Sequence, residues 1–429
     1  MNLFDITCLG INGIIGAGIF LLPGQLASQV GPFSILIFVI CGLLCFAIAL
    51  CFAEMGGMYQ QTGGAYLYAR DTFGPMAGFM VGWMIWLSSI IGWAAMARGF
   101  LLYLSYFSPS LSEGWFGEII IVVIIAGLSV LNFLGVKIGA RTINVFTISK
   151  LAPLFIFIAW GLPHIKTSCL SPIFSFDIQD IGGTIIIALF AYTGFEHMPV
   201  PAGEMKNPRK DIPKAFFFVT LGATLIYTLV QTVATGTFPG LALSEKPLAD
   251  AATTFIGPTG GILMATGALF AISGVNSGIA LTGPRNLYAL SADRFMPEIF
   301  SKVHPKFHTP YVAIGTNAFL TLFLSLTGTF EYLIFASVMA SLLQYIPTCL
   351  AVIVLRKKRS DVPRSYTIPG GYLIPCLALI ICIWLLFQMK LIVVLATLAG
   401  MALSLPVYFL KKRRMQAGAF PICSNRETE

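Results

Sequence analysis

Long apolar stretches separated by short polar segments run along almost the whole chain. A helix needs about 20 apolar residues to cross the ~30 Å hydrocarbon layer of a bilayer, and about 12 stretches approach or exceed that length. They lie near residues 5–29, 32–57, 72–106, 117–135, 142–162, 181–203, 212–238, 254–290, 311–327, 331–355, 371–388 and 391–410. This pattern predicts an all-α integral membrane protein with 12 transmembrane helices.

The composition agrees with that prediction. The 429 residues are 57% hydrophobic and 10% charged, whereas soluble domains carry about 25% charged residues. The net charge of +8 does not indicate nucleic acid, because the basic residues lie in short loops between apolar stretches. The nine cysteines are scattered and imply no disulfide framework. The first stretch lacks the basic start and the cleavage site of a signal peptide, so we expect it to remain as a helix.

Lysine and arginine concentrate in alternate loops. If the N-terminus is cytoplasmic, the opposite side of the membrane receives only Lys166, Lys246 and Lys390. Cytoplasmic loops are enriched in basic residues, here by about seven to one. The sequence therefore predicts a multi-pass protein with both termini in the cytoplasm.

The first stretch is interrupted by glycines. Residues 13–24 read Gly-Ile-Ile-Gly-Ala-Gly-Ile-Phe-Leu-Leu-Pro-Gly, and each glycine costs a helix about 1 kcal/mol relative to alanine. Irregular backbone within a membrane persists only where it is buried in protein or lines a cavity. The interruption predicts a binding site, and close helix packing is the alternative. A dinucleotide fingerprint is excluded because no strand precedes the glycines.

The sixth stretch contains a second interruption. Gly194 is followed by Pro199 and Pro201, and such a segment does not sustain a regular helix. We expect two half-helices that meet at residues 193–195. The N-terminal end of a half-helix favours a carboxylate and its C-terminal carbonyls favour a cation.

The two interruptions occupy corresponding places in two groups of five stretches. Stretches 3 and 8 also correspond, and both are unusually long. Because five is odd, the second group runs opposite to the first, which predicts an inverted repeat. The expected organisation is a first repeat at 1–162, a second at 163–355, two additional helices at 356–410 and a cytoplasmic tail at 411–429.

Several motifs together resemble those of the amino acid–polyamine–organocation (APC) transporters, which have a LeuT-like 5+5 inverted repeat with broken helices 1 and 6. The matching segments are residues 13–24, 52–54, 63–68, 73–75, 190–196, 204–208, 285–297 and 304–310. They follow the family's order over most of the chain.

The resemblance implies roles for both interruptions. The glycine-rich segment would receive the substrate carboxylate, at Ile14, Ala17 and Gly18. Carbonyls of the second interruption would receive the amino group, at Phe190, Ala191 and Thr193. Phe190 stands where family members place an aromatic ring over the substrate, and an ordinary core phenylalanine is the alternative.

Lys150 lies within the fifth stretch. A charge within a membrane span is costly and indicates a function, and burial favours the neutral amine, so the lysine could exchange protons. Similar proton-coupled amino acid permeases carry a helix 5 lysine where sodium-coupled relatives bind Na⁺. The alternative is a side chain that extends to the inner interface.

Three more ionisable residues lie within or near spans. Glu196 either takes part in proton movement or caps freed amides after the second interruption. His197 could respond to pH, but a satisfied packing histidine is the favoured interpretation. Arg98 is expected to extend to the outer interface, with attraction of anionic groups as the alternative.

Polar residues of stretch 8 and of the loops complete the candidates. Ser273 and Asn276, with Ser277, place polar groups near one helical face, where they bind substrate or join helices. Glu54 and Asp293 border cytoplasmic loops and are predicted to be structural. His304 and His308 do not have zinc spacing and no phosphate-binding loop occurs, so we expect no metal, no cofactor and no ATP-driven pumping.

The prediction is a secondary active transporter of small or neutral amino acids in the plasma membrane, working by alternating access and proton symport through Lys150. Its expected partners are the amino acid and the lipid bilayer, with no nucleic acid. An amino acid or polyamine exchanger of the same fold is the first alternative, and an integral-membrane enzyme the second. The compact chain favours a bacterial inner membrane. Side-chain specificity and oligomeric state are left open.

Overall fold

The computed structural model describes residues 1–112, 114–172, 180–328, 330–359, 364–389 and 391–409. Within these ranges the regular structure is helical, without strands. The predicted tail at 411–429 and Lys390 lie outside the described residues. The helices are α1 Leu3–Ile14, α2 Ala17–Val30, α3 Ser34–Gly56, α4 Ala65–Phe73, α5 Pro75–Leu104, α6 Pro109–Ser112, α7 Gly114–Phe133, α8 Val136–Gly161, α9 Asp180–Tyr192, α10 Pro208–Thr237, α11 Pro247–Phe255, α12 Pro258–Ala292, α13 Tyr311–Thr327, α14 Phe330–Lys358, α15 Leu373–Phe387 and α16 Leu391–Ala402.

Eight segments of the described chain are long and apolar enough to cross a membrane. The first, Leu3–Gly56, contains two of the predicted stretches, and three others appear as shorter apolar helices at Ile181–His197, Tyr311–Thr327 and Leu373–Phe387. Large apolar side chains such as Trp115 and Phe155 face outward, as a lipid-facing surface requires. The all-α, multi-pass membrane architecture is therefore confirmed, and the count of 12 stays a prediction.

The first interruption is a short break between two α-helices. Helix α1 ends at Ile14 and α2 begins at Ala17, and Ile15 (φ −78°, ψ 90°) leaves the helical region. Gly16 follows with φ −126° and ψ −143°. Pro23 lies inside α2 without ending it. The break therefore falls within the glycine-rich segment, as expected.

The second interruption differs from the prediction. Helix α9 ends at Tyr192, and Gly194 has a φ of +115° that favours glycine. The chain then forms two 3₁₀ turns, Phe195–His197 and Ala202–Glu204, instead of a second α half-helix. That part of the prediction is wrong, because Pro199 and Pro201 lack the N–H donors that a continuing α-helix would use.

The two interruptions cross inside a ring of helices. Helix α1 contacts α8, α10 and α12, and α2 contacts α9, while α12 also packs along α5 and α10 along α3. At the crossing, a Cβ on Gly13 would lie 2.7 Å from the carbonyl oxygen of Gly194. Only glycines allow the backbones to pass this closely, so the crossing point is fixed by these two residues.

Candidate functional site

A cavity lies where the two interruptions meet. The first interruption contributes Gly13, Ile14, Gly16, Ala17 and Gly18, and the second contributes Phe190, Thr193, Gly194, Glu196 and His197. The rest of the wall comes from α1, α5, α12 and α14, through Leu9, Ser88, Gly92, Met96, Val275, Gly278, Ile279 and Ser337. Irregular backbone therefore faces empty space, the arrangement in which free amides and carbonyls can bind a solute.

Most of the predicted substrate residues come together at this cavity. Ile14, Ala17, Gly18, Phe190 and Thr193 line it. Ala191 lies directly behind Gly18, since a Cβ on that glycine would be 2.7 Å from the Cα of Ala191. Five of the six residues assigned to the two interruptions thus share one wall and the sixth supports it.

The polar residues predicted on α12 are placed elsewhere. The cavity wall receives Val275, Gly278 and Ile279 from this helix, and neither Ser273 nor Asn276 belongs to the wall. Asn276 is fully buried, and neither polar atom of its side chain has a hydrogen-bond partner within the described chain. A substrate contact by Ser273 or Asn276 remains a prediction that this arrangement does not favour.

Lys150 points at the first interruption. Its side chain is fully buried, so extension to the membrane interface does not occur. Nζ donates to Oδ1 of Asn12 at 2.6 Å, to the carbonyl of Asn12 at 3.1 Å and to the carbonyl of Ile15 at 2.5 Å. An ammonium has three N–H donors, and these three acceptors satisfy all of them. Lys150 therefore holds the C-terminal end of α1.

Glu196 caps the second interruption. Its Oε2 accepts from the backbone N–H of Gly194 at 2.8 Å and from the hydroxyl of Tyr345 at 2.9 Å, and Oε1 accepts from Ser341 at 3.2 Å. The carboxylate thus pairs the N–H of Gly194, the residue that precedes the 3₁₀ turn Phe195–His197. The capping role is observed, and a role in proton movement stays a prediction.

Tyr227 was not found from the sequence. This fully buried α10 residue donates its hydroxyl to the carbonyl of Ile14 at 2.7 Å and to the carbonyl of Ala191 at 2.9 Å. A tyrosine in an apolar stretch resembles any core aromatic, and the available signal was that a buried hydroxyl needs a partner. It touches both interruptions.

Two of the carbonyls assigned to the amino group, those of Phe190 and Ala191, already have donors, as does the carbonyl of Ile14. Ile14 and Ala191 share Tyr227, and the carbonyl of Phe190 accepts from the hydroxyl of Thr193 at 2.8 Å and from its N–H at 3.2 Å. A carbonyl oxygen has two lone pairs. A bound ammonium would therefore share these oxygens with the internal donors or displace them.

Comparison with known proteins identifies the family. The sequence model of the family described as "Amino acid permease" matches residues 1–410. The chain belongs to the amino acid permease family. This family is part of the APC group, as the motifs indicated.

Full-length relatives of this permease are transporters. The methylthioribose transporter of Bacillus subtilis (strain 168) is 30% identical, over 96% of this chain and 93% of the relative. The serine/threonine exchanger SteT of the same organism is 31% identical over 96% of both chains. The branched-chain amino acid permease BcaP, also from that organism, is 29% identical over 96% and 93% of the two chains. The relatives point to a transporter rather than an enzyme.

His197 and Arg98 of the permease both differ from what the sequence predicted. His197 is buried and lines the cavity, but its Nδ1 has no hydrogen-bond partner among the described residues, so the expected satisfied histidine is not found. Arg98 pairs with Glu118 at 3.0 Å and donates to the carbonyl of Ser325. It joins α5, α7 and α13 rather than extending freely to the interface.

The loop carboxylates of the permease join structural elements, as expected. Oε1 of Glu54 accepts from Arg356 at 2.8 Å, and Oε2 accepts from the N–H of Ile368 at 2.9 Å. Asp293 accepts from Arg70 and from the hydroxyl of Tyr66. Burial, followed by the charge of Asp293, raises the pKa of Tyr66. In the described part of the chain, no three His, Cys, Asp or Glu residues are grouped to hold a metal ion.

Proposed function

We propose that this permease is a secondary active transporter that carries amino acids across the plasma membrane by alternating access. The observation that supports it is the cavity between two facing helix interruptions. The first N–H groups of α2 attract a carboxylate, and the last carbonyls of α9 attract an ammonium. Every amino acid presents both groups on one carbon, whatever its side chain.

The same proposal includes a LeuT-like arrangement of 12 spans in a 5+5 inverted repeat. Its support is that interruptions occur between α1 and α2 and after α9, and that α5 and α12, with 30 and 35 residues, correspond in the two groups. Residues 1–162 and 163–355 form the repeats, 356–410 adds two helices, and 411–429 is a cytoplasmic tail. The basic loops favour cytoplasmic termini, and we propose a bacterial inner membrane.

We propose a small or neutral amino acid as the substrate. The acidic side chain in the cavity wall is Glu196, and both of its oxygens already accept hydrogen bonds from the protein. A cationic side chain of the substrate would have to share that carboxylate with these donors. The names of two relatives, a serine/threonine exchanger and a branched-chain amino acid permease, refer to amino acids with uncharged side chains, whereas a third, the human cationic amino acid transporter 4, is named for charged ones.

We further propose that protons drive the uptake through Lys150, with the proton as coupling ion and no other cofactor. The charged amine donates three hydrogen bonds to the end of α1. A neutral amine has only two N–H groups and loses the attraction of its charge. Deprotonation therefore weakens the contact between α8 and α1, and it can shift the balance between two conformations. Glu196 is the second candidate for carrying a proton.

Exchange of amino acids is the second candidate function, because one relative of similar length is an exchanger. An exchanger would move one substrate outward for each one that it carries inward. It would not respond to a proton gradient unless the substrates themselves did. Lys150 would then hold α1 without changing its charge.

Uptake by the protein in liposomes tests these proposals. Wild type, Lys150→Ala and the control Lys210→Ala, at an exposed position in the first turn of α10, are given a panel of labelled amino acids with and without an inward proton gradient. Symport through Lys150 requires that the gradient accelerates uptake in wild type and in the control but not in Lys150→Ala. Uptake that needs internal amino acid and ignores the gradient in all three proteins supports exchange. Failure of wild type to transport any amino acid would reject the proposed function.

A further inference from the structure

Two side chains from neighbouring helices pair the carbonyls at the end of α1. Lys150 of α8 donates to the carbonyls of Asn12 and Ile15, and Tyr227 of α10 donates to the carbonyl of Ile14 that lies between them. These carbonyls have no intrahelical donor because the helix stops. The first interruption is therefore held from both sides, by α8 and by α10.

Tyr227 differs from Lys150 because it also reaches the second interruption. Its hydroxyl lies 2.9 Å from the carbonyl oxygen of Ala191, in the last turn of α9. A phenol has a single proton to donate, so the oxygens of Ile14 and Ala191 converge on one point. Relative displacement of the two segments by about 1 Å would lengthen at least one of these hydrogen bonds beyond the usual range.

We propose that Tyr227 is a positioning residue that makes the two interruptions move as one unit. The inference rests on the proposed transport function, in which the first interruption binds the substrate's carboxylate and carbonyls at the end of α9 bind its amino group. A substrate that draws one carbonyl toward itself then moves the other segment through the shared hydroxyl. Because Lys150 holds the same end of α1, a change in its contacts also reaches α9 through Tyr227.

A matched control separates the proposed positioning role of Tyr227 from a role in packing alone. Tyr192 is fully buried in the same aromatic cluster, with its ring centroid 5.0 Å from that of Tyr227. Its hydroxyl donates to the carbonyl of Phe38 in α3 at 2.8 Å, not to the two carbonyls that Tyr227 joins. Tyr192→Phe and Tyr227→Phe each remove one buried hydroxyl while the ring remains.

The test compares initial rates of uptake in liposomes for wild type and the two variants, with thermal unfolding of the purified proteins. Both variants should lose some thermal stability, Tyr227→Phe somewhat more because two carbonyls lose their donor. Tyr227→Phe alone should lower kcat by about tenfold or more, with KM changed by less than about threefold, because the step impaired is movement rather than binding. A kcat within about twofold of that of Tyr192→Phe would overturn the inference and leave the proposed function intact.

Hydrogen–deuterium exchange of wild type gives a second measurement that does not depend on a variant that folds. A saturating concentration of the best-transported amino acid should change amide exchange in residues 13–18 and 190–197 together. A change confined to one segment would overturn the inference. In Tyr227→Phe, the two segments should respond independently. Wild type that transports no amino acid would reject the proposed function and this inference with it.

Discussion

The two helix interruptions are built from the same residue type but are held by opposite charges. At the first, carbonyls at the end of α1 accept hydrogen bonds from the amine of Lys150. At the second, an amide beyond the end of α9 meets the carboxylate of Glu196. In each case the charge has the sign that suits the freed backbone group. Interrupting a helix inside a membrane thus requires a specific buried partner on each side of the cavity.

The segments that follow the interruptions also differ. After the first, α2 resumes at Ala17 and tolerates Pro23 in its interior. After the second, the chain forms only short 3₁₀ turns before α10 begins at Pro208. Two prolines within three residues, Pro199 and Pro201, explain the contrast. The first interruption thus joins two α-helices, whereas the second joins an α-helix to a turn-rich segment.

Substitution of Gly194 should have the largest effect on stability and uptake, because this glycine lies where the two interruptions cross. A Cβ there would lie 2.4 Å from the carbonyl oxygen of Gly13, and its φ of +115° disfavours other residues. We expect Gly194→Ala to lower the free energy of unfolding by about 3 kcal/mol or more and to abolish uptake. Gly183→Ala, in α9 with open space around it, is the control. Equal melting temperatures for the two variants would contradict the close crossing.

Substitutions of Glu196 separate its capping role from proton movement. Glu196→Ala leaves the N–H of Gly194 and the hydroxyls of Ser341 and Tyr345 without their acceptor, at a cost of about 2–3 kcal/mol. Glu196→Gln keeps one acceptor oxygen and should cost about half as much. Both are measured by thermal unfolding and gradient-driven uptake. If Glu196→Gln is stable but insensitive to the proton gradient, Glu196 also carries a proton. Equal destabilisation by both variants would argue against the cap.

Gly16→Ala should have the smallest effect on stability and thereby sharpens the contrast with Gly194. Its φ is negative, and the nearest atom to a new Cβ is a side-chain methyl of Val275 at 2.7 Å, which can move. We expect a loss of less than about 1 kcal/mol in thermal unfolding. Because Gly16 lines the cavity, the added methyl should instead raise the KM for uptake. A loss as large as that of Gly194→Ala would show that both interruptions are equally rigid.

The sequence was informative where one residue type carries the physical constraint. Three glycines in six residues located the first interruption, and a lysine among apolar residues indicated a functional charge within a span, although its contacts with the freed carbonyls were not predicted. The end of α9 was predicted for the same reason. The second half-helix was predicted wrongly. Pro199 and Pro201 lack the N–H donors of a regular helix, and the chain forms turns there instead. Ser273 and Asn276 were predicted from one helical face, but the sequence does not tell which face of a buried helix meets the cavity.

What the sequence by itself determined is the membrane class, the family and the two places where helices stop, because hydropathy and backbone conformation are local properties. The tertiary structure alone decided which side chains satisfy the freed backbone groups. Tyr227 lies 213 residues from Ile14 and 36 from Ala191, and nothing local marks it as the donor to both. Which side chain reaches a freed backbone group depends on which helices pack together, and that packing is formed only when the chain folds.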